Sequence, residues 1–431
     1  MRRQAKPIAR AEAGWFQQGL EHVWLPYAQM KTEPEPLAVA RTDGTRIILA
    51  DGRELVDGTA SWWTACHGYN HPHIRQAVAR QLKVMPHVMF GGLAHEPALT
   101  LARRLCGLLG DRFERVFFSD SGSVAVEVAM KMAVQFWLNQ GVRGRTRFLA
   151  FRRGYHGDTF GAMGVCDPEE GMHGLFQGVL ARQLIADLPR SEAAMAELDR
   201  LLELHAKELA GIIVEPLVQG AGGMVFHEAE VLRRLRAAAD RHGLPLIFDE
   251  IFTGFGRTGG MFAFQQAGVA PDIVTLGKGL TGGTLPLAAT VASDAIFEAF
   301  WSDDPDKALV HGPTYMANAL ACAAANASLD LFETEPRLQQ VAAIAEGLEA
   351  GLAPSRRAAA VVDVRVRGAI GVVELDRIED LNDLKRRLVD KGVWIRPFGR
   401  VIYLTPSFTI SPADLDRLTG AIVEVVREIA R

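Results

Sequence analysis

LPLIFDEIFTGFGRTGGMFAFQQAGVAPDIVTLGKGLT, residues 244–281, contains two short apolar runs, each leading to charge. The first, 244–248, runs into Asp249 and Glu250. The second, 273–276, is followed by Gly277 and Lys278. Unbroken apolar runs of this length, bounded by Gly, Pro or charge, read as strands buried on both faces. In open α/β sheets, ligands gather at the carboxyl ends of strands. An acid and an amine at two such ends therefore point to one shared site. Adjacent side chains on a strand face opposite ways, so only one of Asp249 and Glu250 reaches it.

Residues 254–259, GFGRTG, match the GxGxxG spacing of a dinucleotide loop, and Asp272 follows Gly254 by 18 positions. The context argues against that reading. Two carboxylates stand just before the glycines, where they would repel a pyrophosphate. Gly268 and Pro271 break the stretch that would have to supply a long helix. A strand ending in Asp-Glu also occurs at the metal sites of nucleotide hydrolases, but no GxxxxGK[ST] loop accompanies it here.

Acid and amine fit a different chemistry. An unprotonated lysine amine condenses with an aldehyde, and a carboxylate keeps a pyridine nitrogen protonated. Pyridoxal phosphate requires that pair, Lys278 for the aldehyde and Asp249 for the ring nitrogen. A free amine, against a reference pKa of about 10.4, is favoured in a desolvated pocket. The bland alternatives are a solvated lysine and a capping or ion-paired aspartate.

Other segments add to the site. Residues 115–118 read as a strand and 123–138 as a helix, with Val124, Val128, Met132 and Phe136 at helical spacing. Between them Ser121-Gly122-Ser123 offers backbone N–H groups, a helix dipole and hydroxyls to a phosphate; a plain serine cap is the alternative. Strands are predicted at 147–151 and 211–214. Gly154-Tyr155-His156-Gly157-Asp158-Thr159 follows the first and places an aromatic where it would stack on a pyridine ring. Trp62-Trp63 reads as core or as the wall of a substrate pocket. Arg396, within an apolar run, needs an anionic partner, either structural or a substrate carboxylate.

The flanks differ from the middle. Residues 41–57 alternate around Asp51-Gly52 and predict a hairpin. The tail predicts strands near 361–366, 369–374 and 401–404, and helices near 381–390 and 412–429. The Ala-rich patches 321–327 and 358–360 predict helix. The expected fold is α/β, a large domain with a mostly parallel central sheet plus a smaller α+β domain. Residues 1–65 form the N-terminal part of the small domain, 66–325 the large cofactor-binding domain, and 326–431 the C-terminal part. A net charge of -4 gives no nucleic-acid surface, and no apolar run approaches the ~20 residues of a membrane span. Cys66, Cys106, Cys166 and Cys322 form no CxxC pair, so no metal is expected; they read as free thiols of a reducing compartment. The basic start, MRRQAKPIARAEAGW, lacks the marks of a targeting peptide and reads as a short extension, hence a cytoplasmic protein.

Taken together, the motifs resemble the fold type I, class III pyridoxal-phosphate aminotransferases. FDEIFTGFGRTG and DIVTLGKGLTGG look like the general signature; SWWTACHGYNHP, FRRGYHGDTFGAMGVCDP and GVWIRPFGRVIYLTP look specific to its biotin-synthesis branch. The resemblance runs from about His22 to the C-terminus. It implies ping-pong amino transfer from S-adenosylmethionine to 8-amino-7-oxononanoate. It also implies roles. Lys278 would bond the pyridoxal 5'-phosphate aldehyde, Asp249 contact its ring nitrogen, and Tyr155 stack on the ring. Gly122 and Ser123 would hold the phosphate. Pro313 and Thr314 would reach the neighbouring subunit's cofactor, in a homodimer with shared sites. Trp62, Gly312 and Arg396 would line the substrate pocket, with Arg396 on the carboxylate. Tyr27 and Asp158 would recognise the amino-ketone, with Tyr403 close by. Phe252 departs from the expected pattern, in which small residues follow Asp-Glu-Ile.

Overall fold

Segments without polar positions cannot lie at a surface, and the apolar runs of the middle of the chain form the interior of one sheet. The computed structural model describes residues 14–169, 173–176 and 178–429. Its large-sheet strands are, in chain order, Phe113–Ser119 (β1), Arg147–Phe151 (β2), Leu184–Ala186 (β3), Leu209–Val214 (β4), Leu246–Asp249 (β5), Ile273–Leu276 (β6) and Ala288–Ser293 (β7). They lie side by side in the order β1-β7-β6-β5-β4-β2-β3. Every residue of β4, β5, β6 and β7 is buried.

β5 pairs in parallel with β4 and β6, and Asp249 lies opposite Thr275. β2 pairs in parallel with β3 and β4. β7 is antiparallel to both β6 and β1. A strand antiparallel to both neighbours leaves those neighbours parallel to each other. The carboxyl ends of β1, β2, β4, β5 and β6 therefore share one edge. From β1 the chain turns into the helix Gly122–Asn139, whose buried Ala125, Val126, Val128 and Ala129 cover the sheet. The Ser121 hydroxyl caps this helix, accepting from the Val124 N–H at 3.3 Å.

The N-terminal segment is a three-stranded meander rather than one hairpin: Val39–Asp43, Arg46–Leu49 and Glu54–Asp57. Gly44 (φ 54°) and Gly52 (φ 90°) turn the chain, in a backbone region open to glycine at little cost. Val393–Trp394 adds in parallel to Glu54–Asp57, so the two ends of the chain share one sheet. A second small sheet joins Val361–Arg367, Ile370–Leu375 and Val401–Leu404. Buried side chains continue from the large sheet into Ile370, Val372, Val401 and Tyr403.

Residues 254–259 form turns, and between them and β6 the helix is only the four-residue Ala263–Gln266. The fully buried Arg257 guanidinium donates to the Ala369 and Pro406 carbonyls, so this loop ties the two parts of the molecule together. The Ala-rich patch 321–327 lies in the helix Ala319–Thr334, as its propensity predicts. The patch 358–360 does not form helix. It is the turn between a short 3₁₀ segment, Ala353–Arg357, and the strand Val361–Arg367. Strand entry outweighs alanine propensity there. The basic segment 1–13 lies outside the described residues. Cys66, Cys166 and Cys322 are buried and Cys106 is half-buried, all as free thiols. No helix among the described residues is long and apolar enough to cross a membrane.

Candidate active site

The shared carboxyl edge opens into a cavity of about 180 Å³, lined among others by Gly122, Ser123, Tyr155, Asp249 and Lys278. It continues into a second chamber bounded by Tyr27, Trp62, Tyr155, Arg396 and Tyr403. Residues spread over some 370 positions of the chain thus meet in one cleft.

Lys278 follows β6 through Gly277 and sits in left-handed backbone (φ 45°), an uncommon conformation for a residue with a Cβ. Its amine lies 4.9 Å from the centre of the Trp63 ring. Desolvation by the surrounding protein pulls the Lys278 pKa below its ordinary value, opposed by the charges of Asp249, Glu215 and Asp158. The site thus favours a neutral amine while keeping acids nearby.

Asp249 is held from three sides. One carboxylate oxygen accepts from the His156 Nδ1–H at 2.7 Å. The other accepts from the Thr275 hydroxyl at 2.9 Å and the Ile251 N–H at 3.2 Å. Glu250 faces away, accepting from the Thr253 hydroxyl and the Phe264 N–H. The alternation expected of a strand assigns the site to Asp249.

At the helix end of the cavity, the Gly154–Thr159 turn packs on the start of the helix Gly122–Asn139. The Asp158 N–H donates to the Ser123 hydroxyl at 3.0 Å. A Cβ on Gly157 would fall 2.1 Å from that hydroxyl oxygen, and one on Gly122 would press on Ile251 at 3.1 Å. Only glycine leaves the helix N-terminus open there. This opening, the amine and the anchored carboxylate fit a phosphorylated pyridine aldehyde.

The Tyr155 hydroxyl donates to Asp158 at 3.0 Å, and the Tyr27 hydroxyl donates to the other oxygen of the same carboxylate. Burial raises the pKa of both phenols, so both remain hydrogen-bond donors. In the same chamber the Arg396 guanidinium lies 4.8 Å over the Trp62 ring and pairs with no carboxylate among the described residues. Gly312, Pro313 and Thr314 line neither chamber of their own chain; Gly312 and Thr314 are exposed. Phe252 packs tilted against Trp63, with ring centres 4.3 Å apart.

Two groups were missed in the sequence. His156 stands in the quoted Gly154–Thr159 motif, but nothing local marks it as the partner of Asp249. Glu215 follows β4 directly, the same strand-then-acid signal that marked Asp249. It accepts from the Tyr155 and Gly220 N–H groups at 3.0 and 2.9 Å, and burial pushes its pKa to about 7 from 4.5. The folded chain therefore holds this proton where the unfolded chain has lost it. Its stabilising contribution is complete below about 4.5 and is lost as pH rises through about 7. Glu215→Gln cannot ionise and should remove this slope, by an order of about 1–3 kcal/mol between pH 5 and 8. Urea unfolding at both pH values checks it, and equal pH differences in the two proteins would contradict it.

The aminotransferase class-III family matches residues 27–426. The chain belongs to that family. It is 45% identical over 415 residues to the adenosylmethionine-8-amino-7-oxononanoate aminotransferase of Corynebacterium glutamicum, covering 95% of this chain and 98% of that protein. It is 46% identical over 413 residues to the protein of the same name from Mycobacterium leprae, covering 94% of each. Among solved structures, the enzyme of that name from Methanocaldococcus jannaschii superposes with a TM-score of 0.90 at 33% identity, covering 96% of this chain and 98% of that one. An amine transaminase from an uncultivated Pseudomonas species, in a PLP-bound form, gives 0.86 at 34% identity, covering 95% and 99%. As a class-III aminotransferase, this chain is an enzyme of amino-group transfer with the fold of its relatives.

Proposed function

We propose that this aminotransferase moves the amino group of S-adenosylmethionine to 8-amino-7-oxononanoate, yielding 7,8-diaminononanoate for biotin synthesis, with pyridoxal 5'-phosphate as cofactor. The observation that carries the reading is the second chamber, which holds an unpaired guanidinium, Arg396, together with the Tyr27 and Tyr155 hydroxyls that both bond Asp158. A substrate with a carboxylate at one end and an amine near the other matches that set. The names of the relatives at 45% and 46% identity support the same pair.

When bound, the cofactor supplies an electron-withdrawing ring that stabilises negative charge on the substrate carbon. The protein does the rest. Gly122 and Ser123 would hold the phosphate at the helix N-terminus. Asp249 would present a fixed negative charge to the ring nitrogen, and Tyr155 would cover the ring. Lys278, its pKa depressed, would hold the aldehyde and, once the incoming substrate amine displaces it, would take and return the proton at the substrate carbon. Arg396 grips the carboxylate of donor and acceptor in turn, against the wall formed by Trp62 and Tyr403. Tyr27 and Asp158 select the amino-bearing end of the acceptor. The enzyme acts as a homodimer, in which Pro313 and Thr314 serve the partner's cleft; that neither lines the cleft of its own chain supports this. Its buried free thiols suit the reducing cytoplasm.

A half-reaction tests the reading. Holoenzyme given S-adenosylmethionine and no acceptor should release about one keto product per site and stop, as a ping-pong scheme requires. In the Arg396→Ala protein, the donor concentration for half-maximal release should rise roughly 100-fold, since a bidentate charged contact is lost. No keto product from this donor, or equal release with lysine, overturns the assignment.

A further inference from the structure

Ala60, Ser61, Trp62 and Trp63 are four consecutive non-glycine residues in left-handed backbone, with φ of 45°, 48°, 53° and 74°. Side-chain-bearing residues normally visit this region singly, because Cβ crowds the following carbonyl. Such strain persists only where the surroundings enforce it, and it concentrates at functional sites. Here the turn sets two successive indoles beside the two basic side chains Arg396 and Lys278 of the cleft. Trp62 lies 4.8 Å from the Arg396 guanidinium, and Trp63 lies 4.9 Å from the Lys278 amine.

Hydrogen bonds to Asp57 and Tyr69 enforce the turn. Asp57, at the end of the strand Glu54–Asp57, is 2% exposed. One of its carboxylate oxygens accepts from the Thr59 N–H at 2.7 Å and the Thr59 hydroxyl at 2.9 Å. The other accepts from the Ser61 N–H at 3.1 Å and the Tyr69 hydroxyl at 2.6 Å. The Tyr69 hydroxyl accepts in turn from the Ser61 hydroxyl, which closes a ring of hydrogen bonds around the turn. Tyr69 is itself fixed, exchanging two main-chain hydrogen bonds with Gly44. The far side of the turn is braced by the loop after Lys278: a Cβ on Gly283 would come within 2.9 Å of the Ala65 nitrogen.

We propose that Asp57 and Tyr69 are positioning residues for amino transfer. They act as a clamp that holds the left-handed turn and, through Trp62 and Trp63, orients the substrate-gripping arginine and the catalytic lysine. The functional half of this inference rests on the proposed reading of the cleft; the mechanical half does not. Trp62 is exposed and Trp63 half-buried, so a loosened turn first frees the Arg396 side of the cleft.

The test compares holoenzyme carrying Asp57→Asn, Tyr69→Phe, and Asp57→Asn with Ser61→Gly added. In the two single variants, amide exchange across residues 60–65 should accelerate. KM for both substrates should rise roughly 10-fold while kcat changes less than about 3-fold, the signature of a misplaced binding group. Added glycine, which takes positive φ without a Cβ penalty, should restore much of the lost KM. A merely structural role would instead lower active fraction and melting temperature together, leave KM unmoved and show no rescue by glycine; that pattern overturns the proposal. Unchanged exchange across 60–65 in both single variants overturns it whatever the kinetics. Should wild-type enzyme fail to turn over this substrate pair, the functional reading falls, and the exchange measurement still decides the clamp.

Discussion

Lys278→Ala enzyme should transfer amino groups at less than about one ten-thousandth of the wild-type rate, because nucleophile and proton carrier are lost together. Lys278 is the only lysine among the residues lining either chamber. No second amine stands ready to take over. Lys278→Arg should be no better, although it keeps the positive charge. A guanidinium does not deprotonate in proteins, whereas the surroundings of Lys278 are built to favour the neutral amine. Stability should hold. The side chain belongs to no apolar cluster, alanine carries the same Cβ into the φ 45° backbone, and removing a desolvated amine relieves a cost. A melting temperature at or above wild type, with cofactor still taken up, separates loss of chemistry from loss of fold. Single-turnover amino transfer within tenfold of wild type would remove Lys278 from the mechanism.

The parts of this molecule that were legible in its sequence are those whose cause is local. β2 and β6 fall where the apolar runs predict, and so do the helices Leu381–Asp390 and Pro412–Ile429, because a continuous or amphipathic pattern dictates burial by itself. β7 went unread. Its residues, AATVAS, are small and only weakly strand-forming, and their burial comes from the neighbours on both sides. The same distinction runs through the site. Lys278 and Asp249 are marked by position at strand ends. The His156 contact to Asp249 spans 93 residues, and no local pattern encodes it. Trp62-Trp63 reads as core or pocket wall, but nothing in the sequence shows that Asp57 and Tyr69 hold its backbone left-handed. That backbone is a tertiary product, since propensity alone disfavours it.

Asp249→Asn should lower kcat by about a thousandfold with KM for both substrates little changed, which isolates charge from shape. The asparagine side chain has nearly the same volume and retains an oxygen to accept from Thr275 and Ile251. What it cannot do is carry negative charge. Opposite a ring nitrogen, that charge would keep the nitrogen protonated and the ring electron-poor, and in a buried setting it is poorly screened. The amide also places an NH2 donor opposite the His156 Nδ1–H donor, which forces that ring to change tautomer or rotate. Two companion variants divide these effects. Thr275→Val removes one hydrogen bond and leaves the charge, so its kcat should fall by less than about tenfold. His156→Asn keeps a donor on the carboxylate without a titratable ring and should fall between the two. Rates measured at saturating substrate provide the comparison. A Thr275→Val loss equal to that of Asp249→Asn would mean that orientation, rather than charge, is what the carboxylate supplies.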